Sequence, residues 1–280
     1  MMYVIAGFAI WALGWLLNVY LANGKLSDHW AMNIGIPLIF GLTILLVWEC
    51  FVIGFEVNPV FLPRPSDIIV RMANEAPRLW ADFFQTIIKG ALTGYIIGGL
   101  AAFAIAVLAD RSEFLTRGVL PVGSFMAALP IVGIAPIFVK WFGSDWESKA
   151  AVVAVMVFFP ILVNAVAGLR DTTSMQRDLM RTYGAGYWPT LFKLRIPAAM
   201  PFIFNGLKIA TTLALIGAIV AEFFGSPTVG MGFRISTSFG QLALDMVWAE
   251  IVIAAIAGSA FYGIVTLIEK GVTFWHPSQR

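Results

Sequence analysis

Long, almost charge-free apolar runs recur along this chain, and they restrict the fold more tightly than anything else in it. A helix that crosses a bilayer needs roughly 20 predominantly apolar residues. Seven stretches approach that length: 3–22, 34–54, 83–109, 119–142, 150–169, 202–224 and 247–268. Because the runs are continuous, they read as helices; a barrel would show short alternating segments. Composition agrees. Only 12% of residues are charged, against about 25% in a soluble domain. The expected fold is an all-α polytopic membrane protein with about seven transmembrane helices.

Several function classes drop out. The net charge of +2 gives no steering toward nucleic acid. Cys50 is the single cysteine, so no intramolecular disulfide forms, and its apolar surroundings make it a small buried hydrophobe. His29 and His276 stand at opposite ends of the chain and suggest no metal cluster, so neither metal nor cofactor is expected. No G-x-x-x-x-G-K-[ST] phosphate loop, H-E-x-x-H or G-x-S-x-G is present, so the chain is not expected to be an enzyme. The first segment has no basic leader and no small-residue cleavage site, and reads as a retained transmembrane helix.

The most basic connection is 170–201. Placing it in the cytoplasm collects Lys25, Arg111, Arg117, Lys270 and Arg280 on the same side, with the N-terminus outside and the C-terminus inside. The other connections are 23–33, 55–82, 110–118, 143–149 and a Gly- and Ser-rich 225–246.

Within the spans, Gly90, Gly94 and Gly98 line one helix face, followed by Ala102 and Ala106. Small residues at that spacing let helix backbones approach closely in lipid, although Gly and Ala are also simply common there. Lys89, Lys208 and Glu250 lie near span ends, where they can snorkel. Glu222, and less so Glu49, are placed to face a cavity. Phe125 and Phe138 lie near the expected cavity; they can stack on a ring-shaped solute, and core packing explains them equally well.

Segment 170–201 is the most informative. Residues 175–183 favour a helix, and Gly184 stands where a left-handed cap would end it. A second short helix follows over 187–196, and Pro197 starts the return to the membrane. Helix, glycine turn and helix would project as a compact knob, unless the segment is an ordinary interfacial loop.

This segment resembles the Glu-Ala-Ala loop of permease subunits of bacterial binding-protein-dependent ABC importers of type I. Asp178-Leu179-Met180 stand in the Glu-Ala-Ala place, Arg181-Thr182-Tyr183 and Gly184-Ala185 follow, and Ile196-Pro197 match the closing hydrophobic-Pro pair. Leu and Met replace two alanines, a bulkier start than the family pattern. Further motifs are similar to the nitrate, sulfonate, taurine and pyrimidine-precursor branch. They are Leu62-Pro63-Arg64-Pro65-Ser66, Leu129-Pro130 with Trp141-Phe142-Gly143, Phe158-Phe159-Pro160, and Val220-Ala221-Glu222-Phe223-Phe224-Gly225 with Gly230-Met231-Gly232.

The resemblance implies N-terminal transmembrane helices over 1–60 and a type I transmembrane domain over 80–268. It implies that 170–201 docks on a cytoplasmic ATPase subunit, a separate polypeptide that hydrolyses the ATP. Asp178, Arg181, Thr182, Tyr183, Gly184, Ala185, Ile196 and Pro197 would form that coupling loop. An extracytoplasmic binding protein, a second permease copy in a homodimer, and a multi-pass location in the bacterial cytoplasmic (inner) membrane are implied with it. So is import of a small organic or oxyanionic solute, with a lean toward a vitamin or pyrimidine precursor. The alternative is a secondary transporter driven by an ion gradient, which would favour paired intramembrane carboxylates and inverted repeats.

Overall fold

The structure is a computed structural model that describes residues 1–24, 30–127, 129–226 and 228–275. Lys25, His29, His276 and Arg280 lie outside these. Among the described residues all regular structure is helical. In chain order the helices are α1 (Met2–Asn23), α2 (Trp30–Gly54), α3 (Pro65–Asn74), α4 (Ala76–Asp110), α5 (Glu113–Ala127), α6 (Ile131–Phe142), α7 (Trp146–Arg170), α8 (Ser174–Thr182), α9 (Tyr187–Glu222), α10 (Met231–Gly240) and α11 (Leu244–Val272). Helices α4 and α9 each contain a π-helical stretch, Phe84–Leu92 and Leu191–Arg195.

Six of these helices are long and apolar enough to cross a membrane. The expected span 119–142 is a correction: it is divided between α5 and α6. Pro130, with extended backbone, caps α6. Proline lacks the N–H a continuous helix needs and pushes the preceding residue out of the helical region. Two further connections are more ordered than the sequence suggests. Helix α3, with Pro65 at its first position, lies within 55–82, and α10 lies within 225–246.

The chain divides into two compact units, Met1–Ala76 with Ile235–Ile251, and Pro77–Arg234 with Val252–Arg280. In the first, α1 and α2 form an antiparallel hairpin whose close points are glycines. Gly7 lies against the Phe51 ring and Gly14 against Thr43. Glu49 sits at the N-terminus of α3, where it accepts hydrogen bonds from Ser66 N–H (3.0 Å) and Ser66 Oγ (2.7 Å). A carboxylate there satisfies an otherwise unpaired backbone donor and complements the helix dipole. Glu49 is thus engaged by α3.

The second unit is built around α7, which packs on both α4 and α9. The small-residue face of α4 meets it directly. A Cβ added to Gly94 would strike the Ala150 carbonyl oxygen and fall 2.6 Å from Val153 Cβ; one added to Gly98 would strike the Ala154 carbonyl oxygen. On α9, Ala210, Ala214 and Ala218 are fully buried. Tyr95 ties α4 to α9 by donating to the Leu207 carbonyl (3.1 Å) and meets Phe261 of α11 edge-on at 4.8 Å.

Two contacts define the ends of this unit. Asp110, at the end of α4, touches Arg195. Asp145, just before α7, accepts a hydrogen bond from Gln85 near the start of α4. The segment between Asp110 and Asp145 therefore travels the length of the unit, as the two short helices α5 and α6.

Candidate functional site

The loop end is built from α8 and the start of α9. Helix α8 is closed at both termini. Thr173 Oγ accepts from Gln176 N–H (3.2 Å) while the Gln176 side chain accepts from Thr173 N–H (2.9 Å), a reciprocal capping box. At the other end, Gly184 adopts φ +67°. Its N–H donates to the Arg181 carbonyl (2.9 Å) and Ala185 N–H to the Met180 carbonyl (3.0 Å), the paired bonds of a Schellman cap. Glycine is required by the backbone here, because nothing lies within 4 Å of an added Cβ.

The helix so held presents a row of large apolar side chains one turn apart. Met175 is 81% exposed, Leu179 55% and Tyr183 79%. Asp178 and Arg181 lie beside them, 3.4 Å apart and exposed. Thr182 Oγ donates back to the Asp178 carbonyl (3.0 Å). Ile196 and Pro197 are not on this row. They lie within α9, which runs without a break into the membrane span, so the expected second short helix is the first part of a long one.

The base of the loop is fastened to α4. Arg195 donates to Asp110 Oδ2 (2.6 Å) and to the Leu169 carbonyl (3.1 Å). Tyr187 Oη donates to the same Asp110 oxygen (3.2 Å), and the Arg111 guanidinium lies 4.8 Å over the Tyr187 ring. The Asp110 side chain is 2% exposed, so one buried carboxylate collects the start of α9.

The far end of the second unit holds a buried polar knot. Thr86 Oγ donates to the Glu222 carboxylate (2.8 and 3.0 Å) and accepts from Met231 N–H (2.8 Å). Glu222 also accepts from Gly232 N–H (2.7 Å). Asp82 accepts from Gly230 N–H (2.6 Å) and from Arg234 Nε (2.8 Å). Two carboxylates thus take up the backbone donors that open α10. Lys149, 2% exposed, donates to the Ser144 carbonyl (2.5 Å) and Ser148 Oγ (3.3 Å). Beside the knot, Asp145 caps α7. The Gln85 side-chain hydrogen bond, with that from Trp146 N–H, holds its carboxyl below the ordinary aspartate range.

The sequence-predicted pathway residues are therefore placed apart. Glu222 is 2% exposed, and its carboxylate accepts hydrogen bonds from Thr86 and from Gly232 at the start of α10. Phe138 is half-buried, packs on Ala135, Val152 and Ala221, and stacks on Phe142 at 5.8 Å. Phe125 is exposed on α5. Gly90, Gly94 and Gly98 sit together on the α4 face toward α7, Gly90 more loosely, with Lys149 Cβ 3.4 Å from an added Cβ. Asp82, Thr86, Lys149 and Arg234 were not singled out as a site from the sequence. The one available signal was Glu222 followed closely by Gly230-Met231-Gly232.

A family model described as the inner membrane component of binding-protein-dependent transport systems matches residues 94–274. The chain is similar to the formylaminopyrimidine transport permease protein of Halalkalibacterium halodurans, 29% identical over 245 residues, covering 87% of this chain and 96% of that one. It is similar to the riboflavin transport system permease protein of Chloroflexus aurantiacus, 27% identical over 247 residues, with 88% and 91% covered. It is also similar to the taurine transport system permease protein of Escherichia coli, 27% identical over 270 residues, with 93% and 98% covered.

Proposed function

The chain belongs to the family of inner membrane components of binding-protein-dependent transport systems, and we propose that it is the solute-conducting subunit of an ATP-driven importer whose ATPase is a separate polypeptide. It is a multi-pass inner-membrane protein. The observation that carries the reading is the exposed row Met175, Leu179 and Tyr183 on a helix capped at both ends. Ordered apolar side chains kept in water mark a surface made for a partner.

In this reading the ATPase receives α8, with Asp178, Arg181, Thr182, Tyr183, Gly184 and Ala185 around the contact. Ile196 and Pro197 begin the return to the membrane. Movement of the docked helix passes through Arg195 to Asp110 and so to α4, biasing the unit between two conformations open to opposite sides. An extracytoplasmic binding protein delivers the solute. A second copy completes the passage as a homodimer, the commonest closed symmetry. The solute we infer is a small organic molecule of the vitamin or pyrimidine-precursor class; the names of the formylaminopyrimidine and riboflavin relatives support that choice.

The test is co-purification with its co-expressed ATPase. The parent is expected to carry the ATPase through purification in mild detergent, and Leu179→Asp to lose it with an unchanged melting temperature. An ATPase that stays bound to Leu179→Asp would overturn the docking assignment.

A further inference from the structure

Helix α9 carries polar side chains on its outward face, at a depth where lipid would penalise them. Asn205 and Thr212 are exposed, two turns apart on one stripe with Ile209 and Ile216. At 1.5 Å per residue they lie about 14 Å and about 24 Å along the helix from Ile196. Ile196 follows directly on Arg195, the residue fastened to Asp110 at the loop end. With a hydrocarbon core about 30 Å thick, both positions fall inside it.

The Asn205 amide is oriented. Its Nδ2 donates to Asn164 Oδ1 of α7 (3.0 Å), and Asn164 Nδ2 donates to the Pro160 carbonyl (2.8 Å). Gly206 permits the close approach, since an added Cβ would fall 2.9 Å from Asn164 Cβ. The Asn164 amide thus fixes the rotamer of Asn205 and leaves Oδ1 and one N–H of Asn205 facing outward. Polar groups inside a bilayer occur where they face a partner or a water-filled cavity.

We propose that Asn205, oriented by Asn164 and joined by Thr212, forms a solute-contact site in the wall of the translocation pathway, for an uncharged ring or amide with adjacent hydrogen-bond donor and acceptor. A carboxamide offers that complementary pair, as asparagine does to the edge of a nucleobase. An oxyanion is a poor match. The nearest cation along the stripe, Lys208, is committed to Glu269 at 2.7 Å. This inference rests on the permease reading and refines the solute class within it.

The test uses the permease with its ATPase and binding protein in membranes, in a Cys50→Ala background that removes the native thiol. Cysteine is placed at 205, 212 or, as a lipid-facing control, Ile44. A thiol attacks such a reagent as its thiolate, which forms in water and not in lipid, so a charged, water-soluble thiol reagent should modify Asn205→Cys and Thr212→Cys at least about tenfold faster than Ile44→Cys. Cytosine should slow the labelling of Thr212→Cys, where the Asn205 amide is intact, and taurine should not. Slowing by taurine instead overturns the solute class. Labelling that neither compound slows overturns the contact site and leaves only a wetted wall. Absence of labelling at both positions overturns the pathway assignment, and disulfide cross-linking between two Asn205→Cys copies would then identify the stripe as a dimer contact. Each of these outcomes can be read while the ATPase co-purifies normally, so failure here is separable from failure of the permease reading.

Discussion

At Gly230 the backbone has φ +133°, and an added Cβ would fall 2.5 Å from Glu222 Oε1. Both the conformation and the space exclude a side chain. Gly230→Ala is expected to destabilise the protein by about 1–3 kcal/mol, read as a lower melting temperature in detergent. The neighbouring cap is sensitive to acid. Asp145 has a depressed pKa in the folded state, chiefly from the Gln85 hydrogen bond and then from Trp146 N–H. A lowered carboxylate pKa stabilises the fold above the unfolded value, and that contribution is lost as the pH falls through the folded one. Asp145→Ala should therefore melt earlier than the parent at neutral pH, and the gap should close as the pH falls below the ordinary 3.8. A gap constant with pH would remove the carboxylate from the cap.

Helix α4 packs closely on α7 through its glycine face, and its three glycines are not equivalent. An added Cβ at Gly94 meets backbone and the Val153 Cβ at 2.6 Å, whereas at Gly90 the nearest atom is Lys149 Cβ at 3.4 Å. Gly94→Ala should cost about 1–3 kcal/mol through overpacking, while Gly90→Ala should be near neutral in the same melting assay. The stripe was legible in the sequence because its period is local to one helix. So was α8, where the cap glycine and the helix-forming run stand side by side. The break between α5 and α6 was less legible. Pro130 was visible, but the apolar run continues through it, and hydropathy alone cannot tell one crossing from two short helices that share it. Helix α3 escaped notice because it is amphipathic, so its charges read as loop.

Over the whole second unit, what the sequence concealed was pairing at a distance. Asp82 meets Arg234 across a separation of 152 residues, and Asn164 meets Asn205 across 41. Residue type marks each as costly in a membrane but does not say which partner offsets it. Lys149 ends the expected connection 143–149, and folding tucks it into the first turn of α7. The opposite end of the unit carries a prediction of its own. Asp110 is where α4 receives the start of α9 through Arg195 and Tyr187. Asp110→Asn should keep the ATPase bound yet lower the solute moved per ATP hydrolysed, measured in proteoliposomes. An unchanged ratio would take Asp110 out of the coupling route.

Helix α4 is fastened at one end to the base of the loop and at the other to the polar knot, with 35 residues between its termini, about 50 Å of helix. In the proposed importer such an element works as a connecting rod. A stroke at Asp110 reaches Thr86 as displacement of one stiff body, with no relay of side-chain changes to be completed in turn. What slack there is lies in the π-helical stretch Phe84–Leu92, hard against the far fastening. Under the coupling proposed above, the timing of any opening at that end is set by the ATPase that pulls on the loop, and the permease keeps no clock of its own.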